Sequence, residues 1–310
     1  MLLVVNSSAH GGRAGRCWPS AYAALRRLHP DVEVRTPASA ADARNAIDTA
    51  LAAGHTTVIA AGGDGTVNLA LNALMDSETD RPRGDRICLG AIGMGSSNDF
   101  HRPFDSGSAL AGLPVRIDTD RARLVDVGKA TIESPDGSSV VRYFLLNASI
   151  GVVAQGNDLF NNPGRSVRWL KSRNSDLAIA VCAVGVIAGM RYPRITAESD
   201  GWRHDGEVAN IGIAKSVHFA GGMHYDTGVV DDDGSFDVNI WRPDGRWALV
   251  RTVLGLYRGQ FRESPTALCH RSEWVTVRSH RPYPVELDGE VLSARAVRFD
   301  VLPARVKVCS

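Results

Sequence analysis

The sequence predicts an α/β protein built from an N-terminal doubly wound parallel sheet and a C-terminal domain of mainly antiparallel strands. Over residues 1–120, strand patterns alternate with helix patterns, as they do in parallel sheets. Over residues 121–295 the pattern changes to short strands separated by turn residues, which is typical of antiparallel domains. The 310 residues, 44% of them hydrophobic, suffice for two domains with their own cores.

The elements of the first domain follow from hydrophobic spacing. Ala21, Ala24 and Leu25 recur at helical spacing and therefore share one face of a helix. The predicted elements are a strand at Met1–Asn6, a helix at Ser20–Leu28, a strand at Val32–Thr36, an alanine-rich helix at Ala38–Ala53 and a buried strand at Thr56–Ala61.

The second domain is predicted to begin between Val115 and Leu124. Turn residues such as Asp200-Gly201 separate its strands. The predicted strands are Leu124–Ala130, Arg142–Ala148, Arg194–Glu198, Val208–Ala214, Phe236–Trp241, Trp274–Ser279 and Ala296–Val301.

A glycine turn, Gly62-Gly63-Asp64-Gly65-Thr66, lies where the strand at Thr56–Ala61 ends and a helix begins. Glycines let the backbone approach a ligand, and the free N–H groups of a helix start favour anions such as phosphate. A carboxylate beside a phosphate, here Asp64, requires a cation or a hydroxyl, which indicates a metal–nucleotide pair. Such a motif alone is more often an ordinary turn, so its context decides.

Two further strand ends carry small polar loops. Asn6, Ser7 and Ser8 end or follow the first strand, and the run Gly95-Ser96-Ser97-Asn98-Asp99-Phe100 follows an apolar stretch that begins at Leu89. Ligands of open parallel sheets bind at the carboxyl ends of strands. The three loops are therefore predicted to converge on one site.

The two glycine runs and the late Asp288-Gly289-Glu290, in this order, resemble the diacylglycerol kinase catalytic family. Bacterial soluble lipid kinases and the sphingosine and ceramide kinases are the most similar members. The resemblance covers nearly the whole chain. It implies a kinase that uses ATP and Mg²⁺ to phosphorylate a hydroxyl of a diacylglycerol- or sphingoid-type lipid, and it implies that segment 296–310 returns to the first domain.

Two other hypotheses remain open at this point. A kinase of a soluble substrate such as NAD would share the Gly-Gly-Asp-Gly turn, and its activity would not respond to detergent or vesicles. A non-catalytic nucleotide- or lipid-binding protein would bind ATP without transferring phosphate. The sequence does not identify the acceptor.

Nucleotide phosphates are expected at the glycine turn, with the loop after Asn6 as a cover. Apart from the resemblance, Asn6 and Thr36 would be ordinary strand-end or turn residues. The predicted nucleotide contacts are Asn6, Ser7, Ser8, Ala9, His10, Thr36, Gly62, Gly63, Asp64, Gly65, Thr66, Val67, Asn68 and Ser96. The chain departs from the family pattern because its first loop is not Asn-Pro-x-Ser-Gly, and because Gly93 and Ser96 replace a proline and a threonine.

The predicted catalytic residues are the carboxylates of Asp64, Asp99, Asp288 and Glu290. Asp64 and Asp99 would organise magnesium, which commonly takes only one or two carboxylates, although Asp99 could instead cap a helix. Asp126 is a weaker candidate for the same network. The resemblance implies Glu290 as proton acceptor, with Asp288 nearby or acting as the base itself. The Asp-Gly pair is also a strong hairpin signal.

An acidic turn, Asp231-Asp232-Asp233-Gly234, precedes the strand at Phe236–Trp241. The resemblance implies a structural magnesium ion bound there by the carboxylate of Asp233 and the backbone carbonyls of Val230 and Ser235. Without the resemblance, the segment would be interpreted as a solvated turn.

The composition argues against several other classes of protein. A net charge of +1 gives no sign of nucleic-acid binding. The cysteines lack CxxC spacing, which argues against a disulfide framework and a zinc site and favours the cytoplasm; they are Cys17, Cys88, Cys182, Cys269 and Cys309. No charged-then-apolar leader opens the chain.

Membrane contact is predicted to be peripheral and transient. The longest apolar run, Leu177–Met190, is shorter than the roughly 20 residues that a membrane span needs. Trp169 and Leu170 lie among arginines and lysines, a composition suited to an anionic surface, although such a segment is more often a helix end packed on a core. The aromatic loop at 219–225 is a candidate lining for an acyl chain. A homodimer is a candidate assembly, although the sequence does not determine the oligomeric state.

Overall fold

The computed structural model describes residues 1–104, 108–161 and 192–310, together with 185 and 189. The chain divides into two units. Unit 1 comprises Met1–Val127 and Pro303–Ser310, and unit 2 comprises Gly128–Leu302. The predicted residues Trp169 and Leu170 and the run Leu177–Met190 lie outside the described residues, apart from 185 and 189.

Unit 1 is an α/β domain around a parallel sheet. Its strands are β1 (Leu2–Val5), β2 (Glu33–Arg35), β3 (Thr57–Gly62), β4 (Met75–Asp76), β5 (Arg81–Pro82), β6 (Cys88–Gly93), β7 (Ala109–Leu110) and β8 (Leu113–Arg116). Its helices are α1 (Arg13–Leu28), α2 (Ala40–Ala52) and α3 (Asp64–Leu74), with short 3-10 helices at Ala9–Gly12 and Asp99–Phe104. Strands β2, β1, β3 and β6 pair in this order and run parallel.

Side chains on one face of the parallel sheet form part of the core of unit 1. Leu3, Val5 and Ile59 belong to one hydrophobic cluster with Ala14 and Leu25 of α1. Helix α1 begins at Arg13 and passes through Pro19, so it starts earlier than the predicted Ser20. Its first residue therefore directly follows the loop after β1.

Unit 2 is a mainly antiparallel β domain, as predicted. Its strands are β9 (Arg123–Glu133, which begins in unit 1), β10 (Ser139–Phe144), β11 (Asn147–Gly151), β12 (Arg194–Ser199), β13 (Trp202–Glu207), β14 (Asn210–Ala214), β15 (His218–Phe219), β16 (Met223–His224), β17 (Phe236–Trp241), β18 (Ala267–Ser272), β19 (Trp274–Leu287) and β20 (Glu290–Val308, which ends in unit 1). Its helices are α4 (Val152–Asn161) and α5 (Gly245–Tyr257).

The main sheet of unit 2 has the order β18-β17-β14-β11-β19-β20, and each adjacent pair is antiparallel. Its buried cluster includes Phe144, which stacks on Phe236 with ring centroids 5.7 Å apart and meets Phe299 edge-on at 6.1 Å. Burial of three aromatic rings supplies much of the apolar area that stabilises such a domain.

The end of β20 belongs to unit 1, where Lys307 and Val308 pair in parallel with Cys88 and Leu89 of β6. The neighbouring Sγ atoms of Cys88 and Cys309 are 3.0 Å apart. Asp126, proposed from the sequence as a further acidic ligand, is buried, and its Oδ1 accepts the N–H of Ala304 at 2.9 Å. Its carboxylate therefore anchors this last segment.

Candidate active site

Three loops meet at the carboxyl edge of the parallel sheet in unit 1. The N–H of Asn6, after β1, donates to the carbonyl of Ala61 at 2.8 Å, and the N–H of Met94, after β6, donates to Gly62 at 2.7 Å. The Asn6 side chain also donates to Thr66 Oγ1 at 3.2 Å. The structure therefore brings together the three loops that the sequence placed at strand ends.

Two glycines allow these loops to touch. A Cβ atom added at Gly95 would lie 2.4 Å from the Cα of Gly63, and one added at Gly63 would lie 3.1 Å from the Cα of Gly95. Real side chains do not approach backbone atoms to 2.4 Å. Glycine at position 95 is therefore a requirement of the close approach between the second and third loops.

The start of α3 offers N–H groups to an anion. The N–H groups of Thr66 and Val67 donate to the carbonyl of Gly63 at 2.8 and 3.2 Å. Those of residues 63–65 have no acceptor within the helix, because the N-cap and first-turn residues of a helix have no helical carbonyl before them. Gly65 is exposed, so a phosphate can reach this end of the helix dipole.

Asp64 connects the helix start to the loop after β6. Its carboxylate accepts the N–H of Asp99 at 3.1 Å and the N–H of Phe100 at 3.0 Å. Burial, and secondarily the negative charge of Asp99, raise the pKa of Asp64 to about 6. Asp99 is itself buried, and its Oδ1 lies 3.0 Å from Arg102 Nε.

Two neighbouring carboxylates whose charges repel fit a cation that binds through oxygen. Magnesium takes one or two carboxylates and completes its shell with water and substrate phosphates. Asp64 and Asp99 supply such a pair beside the anion-binding helix start. Among the described residues, no group of three or more His, Cys, Asp or Glu side chains forms a fuller metal cluster.

The other predicted nucleotide contacts fall into two groups. Thr36 and Ser96 are exposed beside the ends of β2 and β6, and Ser8 donates through its N–H and hydroxyl to Asn6 Oδ1 at 3.2 and 2.7 Å. Ser7 precedes this turn, and Ala9 and His10 belong to the 3-10 helix. In contrast, the side chains of Val67 and Asn68 are buried within the unit. Any contact of these two residues with a nucleotide would therefore be made by backbone atoms, and it stays a prediction.

An open cleft of about 290 Å³ adjoins the loop after β6. It is lined by Arg13, Ala14, Cys17, residues 93–96, Asn98 and residues 112–114. Arg13 is exposed and is the first residue of α1. The sequence alone does not point to this arginine, because only the position of the helix start shows that it borders the cleft.

A buried arginine supports the loop after β6. Arg116 of β8 donates through Nη1 to the carbonyl of Phe100 at 3.2 Å, and its guanidinium lies 4.7 Å from the centre of the Phe100 ring. Burial and the charge of Arg116 lower the pKa of His101 to about 4, so that imidazole is neutral at pH 7. Nothing in the local sequence distinguishes Arg116 from a surface arginine.

In unit 2, Asp288 and Gly289 form the two-residue turn of the β19–β20 hairpin. Both have positive φ, 46° and 93°, as the favoured hairpin turns require. The buried Asp288 carboxylate accepts three backbone N–H groups, from Leu145 at 2.8 Å and from Leu146 and Asn147 at 3.0 Å. Its oxygens therefore hold the start of β11, and the role of Asp288 beside Glu290 or as the base itself stays a prediction.

Glu290, the other carboxylate of this motif, is accessible. Its side chain is 41% exposed, and its Oε2 lies 3.6 Å from Arg142 Nε. Asp288 and Glu290 thus differ in availability, although the sequence could not separate them. The geometry favours Glu290 as the group that meets a substrate.

The acidic turn of unit 2 surrounds the side-chain nitrogen of Lys215, which precedes the turn by 15 residues and is not indicated by the sequence. Lys215 Nζ lies 2.9 Å from the carbonyl of Val230, 2.9 Å from the carbonyl of Ser235 and 3.2 Å from Asp233 Oδ1. These are the same three groups that were predicted to bind magnesium. The residues present do not fit a metal ion there, because an ammonium group already contacts all three oxygens.

The aromatic residues that were predicted to line an acyl site are packed in the core of unit 2. Phe219 and Tyr225 are buried and stack with centroids 4.6 Å apart. The Tyr225 hydroxyl accepts a hydrogen bond from Trp241 Nε1 at 3.2 Å. These rings stabilise the domain, so the prediction of an aromatic acyl site at 219–225 is not supported.

Comparison with known proteins agrees with this architecture. Residues 1–130 match the model of the diacylglycerol kinase catalytic domain, and residues 150–310, over half of the chain, match that of the YegS C-terminal NAD kinase beta sandwich-like domain. The chain belongs to the diacylglycerol kinase catalytic family. The resemblance noted in the sequence is thereby confirmed, and membership of this family makes the protein a phosphotransferase with an alcohol acceptor.

Relatives of this diacylglycerol kinase family member align along almost its whole length. A probable lipid kinase YegS-like protein of Pseudomonas aeruginosa PAO1 is 29% identical, covering 99% of this chain and 93% of the relative. One of Pseudomonas fluorescens Pf-5 is 28% identical, covering 93% and 89%. The crystal structure of a proposed diacylglycerol kinase from Bacillus anthracis str. Sterne matches with a TM-score of 0.74 at 22% identity over 99% of this chain and 94% of that one, which shows a shared fold.

Proposed function

We propose that this protein is an ATP- and magnesium-dependent lipid kinase that transfers the γ-phosphate of ATP to a hydroxyl of a diacylglycerol- or sphingoid-type lipid. One observation carries the proposal: three strand-end loops meet at the N-terminus of α3, beside the Asp64–Asp99 pair. Phosphoryl transfer requires a phosphate cradle, charge neutralisation and a proton acceptor. The curated relatives named probable lipid kinases support the choice of acceptor class.

Unit 1 supplies the proposed phosphate and metal contacts. The N–H groups of residues 63–65 would bind phosphate oxygens, and Arg13 would add a positive charge at the cleft. Asp64 and Asp99 would hold magnesium through its waters, and the bound ion would neutralise charge on the phosphates. Asn6 and Thr66 fix the relative positions of the first and second loops through their hydrogen bond.

Glu290 of unit 2 is the proposed proton acceptor. Its carboxylate is accessible and lies beside Arg142, which restricts its position. Asp288 is proposed to position Glu290, because its three backbone hydrogen bonds fix the turn that immediately precedes it. In this proposal the substrate hydroxyl loses its proton to Glu290 as its oxygen attacks the γ-phosphorus, while the bond from that phosphorus to the β,γ-bridging oxygen breaks and ADP leaves.

The direct test is transfer of labelled γ-phosphate from ATP, with magnesium, to a total lipid extract in mixed micelles. We expect a labelled lipid with the wild-type protein and none with Asp64→Asn, which removes the charge at the helix start. Label in a water-soluble product, independent of micelles, would instead favour a soluble acceptor. ATP binding without transfer to either phase would contradict a kinase function.

Helix α5 offers a described surface for the proposed membrane contact. Within the described residues, no helix is long and apolar enough to cross a bilayer. On α5, however, Trp247, Leu254 and Tyr257 are 82%, 52% and 51% exposed, and they share one face by helical spacing. Large exposed apolar side chains grouped on one face are typical of an interaction surface.

The charges around this face favour an anionic lipid surface as its partner. Arg246 and Arg251 are exposed on α5 beside the apolar face, and Arg258 follows the last helical residue. The helix sequence Gly245–Tyr257 contains no acidic residue. An aromatic and aliphatic face bordered by arginines is suited to the interface of an anionic bilayer. We therefore propose that α5 docks on anionic lipid.

Replacing Trp247 and Leu254 together by serine is expected to lower the fraction of protein that sediments with phosphatidylglycerol vesicles by about tenfold or more, because each apolar side chain contributes roughly 1.5–3 kcal/mol when buried. The matched control is Leu28→Ser, which removes a 62% exposed leucine at the end of α1 and should leave sedimentation unchanged. Equal binding of the double variant and the wild type would contradict α5 as the docking surface. A change from dimer to monomer would identify the face as an interface between copies.

A further inference from the structure

The side chain of Lys215 has no exposure to solvent, and a buried ammonium group must be compensated. Lysine has three N–H donors, and Nζ has three oxygen atoms within 3.2 Å: two carbonyls and one carboxylate oxygen, from Val230, Ser235 and Asp233. The carboxylate also cancels the charge. The geometry thus satisfies both the hydrogen bonding and the charge of the buried group.

We propose that the ammonium group of Lys215 takes the place of the structural magnesium ion that the resemblance implies, so that the turn at residues 230–235 is held without metal. Two carbonyl oxygens and a carboxylate form a ligand set that would equally suit a hard divalent cation. In this chain the positive charge is instead covalently attached, immediately after strand β14. The turn therefore cannot be emptied by a chelator.

The surrounding charges agree with a site that needs no further cation. Asp233 also forms an ion pair with Arg271, whose Nε lies 3.8 Å from Asp237 Oδ1. Two positive side chains, Lys215 and Arg271, thus face two carboxylates. A divalent ion at the position of Nζ would have to displace a buried side chain that already pairs with Asp233.

The backbone of Lys215 connects this turn to the hairpin that carries Glu290. The N–H groups of Lys215 and Ser216 both donate to the carbonyl of Leu146 at 2.8 Å. The N–H of Leu146 in turn donates to Asp288 Oδ1 at 3.0 Å. Lys215 thus joins two loops of unit 2 through its side chain and its main chain, so its loss should affect more than the acidic turn.

The test compares thermal unfolding in excess MgCl₂ with unfolding in excess EDTA, without nucleotide. The wild-type melting temperature should be the same in both, and metal analysis after desalting should find less than one divalent ion in ten chains. Lys215→Met should lower the melting temperature by roughly 10 °C, since removal of one partner of a buried ion pair costs several kcal/mol. Lys129→Met, the same substitution elsewhere in unit 2, is the matched control and should leave the response to metal unchanged.

Lys215→Ala completes the test because it opens space beside the three oxygens. We expect MgCl₂ or CaCl₂ to raise the melting temperature of this variant by several degrees over EDTA, whereas neither salt does so for the wild type. About one tightly bound divalent ion per chain that is retained in Asp64→Asn, or a melting temperature that EDTA still lowers in that variant, would overturn the proposal, because the proposed magnesium site of unit 1 is then removed. Because these measurements leave Lys215 in place, the proposal stays testable even where Lys215→Ala fails to fold.

Discussion

Replacement of Glu290 by glutamine is expected to lower kcat by about 10²–10⁴-fold, the range that a positioned general base contributes. Glutamine preserves the size of the side chain and its place after the hairpin turn, but it cannot accept the proton of the substrate hydroxyl. The KM for ATP should change little, because the proposed phosphate contacts belong to unit 1. Steady-state lipid phosphorylation at varied ATP and lipid concentrations measures both parameters.

Glu198→Gln is the matched control for this experiment. Glu198 is also a partly exposed glutamate of unit 2, and it lies 3.3 Å from an arginine, Arg278. Neutralising it should leave kcat within about twofold of the wild type, because a surface ion pair contributes little. Near wild-type activity of Glu290→Gln, in a folded protein, would reject Glu290 as the base.

Substitution of Gly95 by alanine is expected to produce the largest loss of stability in unit 1. The added methyl group would lie 2.4 Å from the Cα of Gly63, so the second and third loops would have to separate. Overpacking of this kind costs about 3 kcal/mol when the obstructing atom is backbone, which corresponds to a fall in melting temperature of roughly 6–12 °C. The affinity for ATP should fall as well, because the two loops jointly form the proposed phosphate site.

Gly65→Ala, in the neighbouring glycine turn, is a control that is expected to change the stability in the opposite direction. No atom lies within 4 Å of a Cβ at position 65, and the residue is inside the first turn of α3. Alanine there should stabilise the protein by about 0.5–1 kcal/mol through its higher helix propensity. If differential scanning calorimetry showed that Gly95→Ala is as stable as the wild type, the contact between the two loops would not be required.

The sequence was informative where chemistry is local. The Gly62–Thr66 run predicted a strand-to-helix turn with free N–H groups, and Asp288-Gly289 predicted a hairpin; both depend on backbone rules that operate over a few residues. Parallel pairing then brings strand ends to one edge whatever the intervening sequence. Convergence of the three loops could therefore be predicted without coordinates.

The contacts that could not be predicted from the sequence join residues that are distant along the chain. Lys215 is followed 15 to 20 residues later by the oxygens it binds, and Asp288 accepts N–H groups from a segment about 140 residues away. No local pattern reports such partners. Helix α5 was missed for a different reason: its outward face carries Trp247 and Leu254, so the helix lacks the polar–apolar alternation that identifies a surface helix.

Strand β20 also imposes an order on the folding of this protein during its synthesis. Residues 303–310 belong to unit 1, and all of unit 2 is translated before them. During synthesis, Cys88 and Leu89 of β6 cannot pair with Lys307 and Val308 until those residues have been translated. Likewise, the Asp126 carboxylate cannot accept the N–H of Ala304 before then. Unit 1 is thus begun before unit 2 and completed after it, so a nascent chain can finish folding unit 1 only once residues 303–310 have been translated.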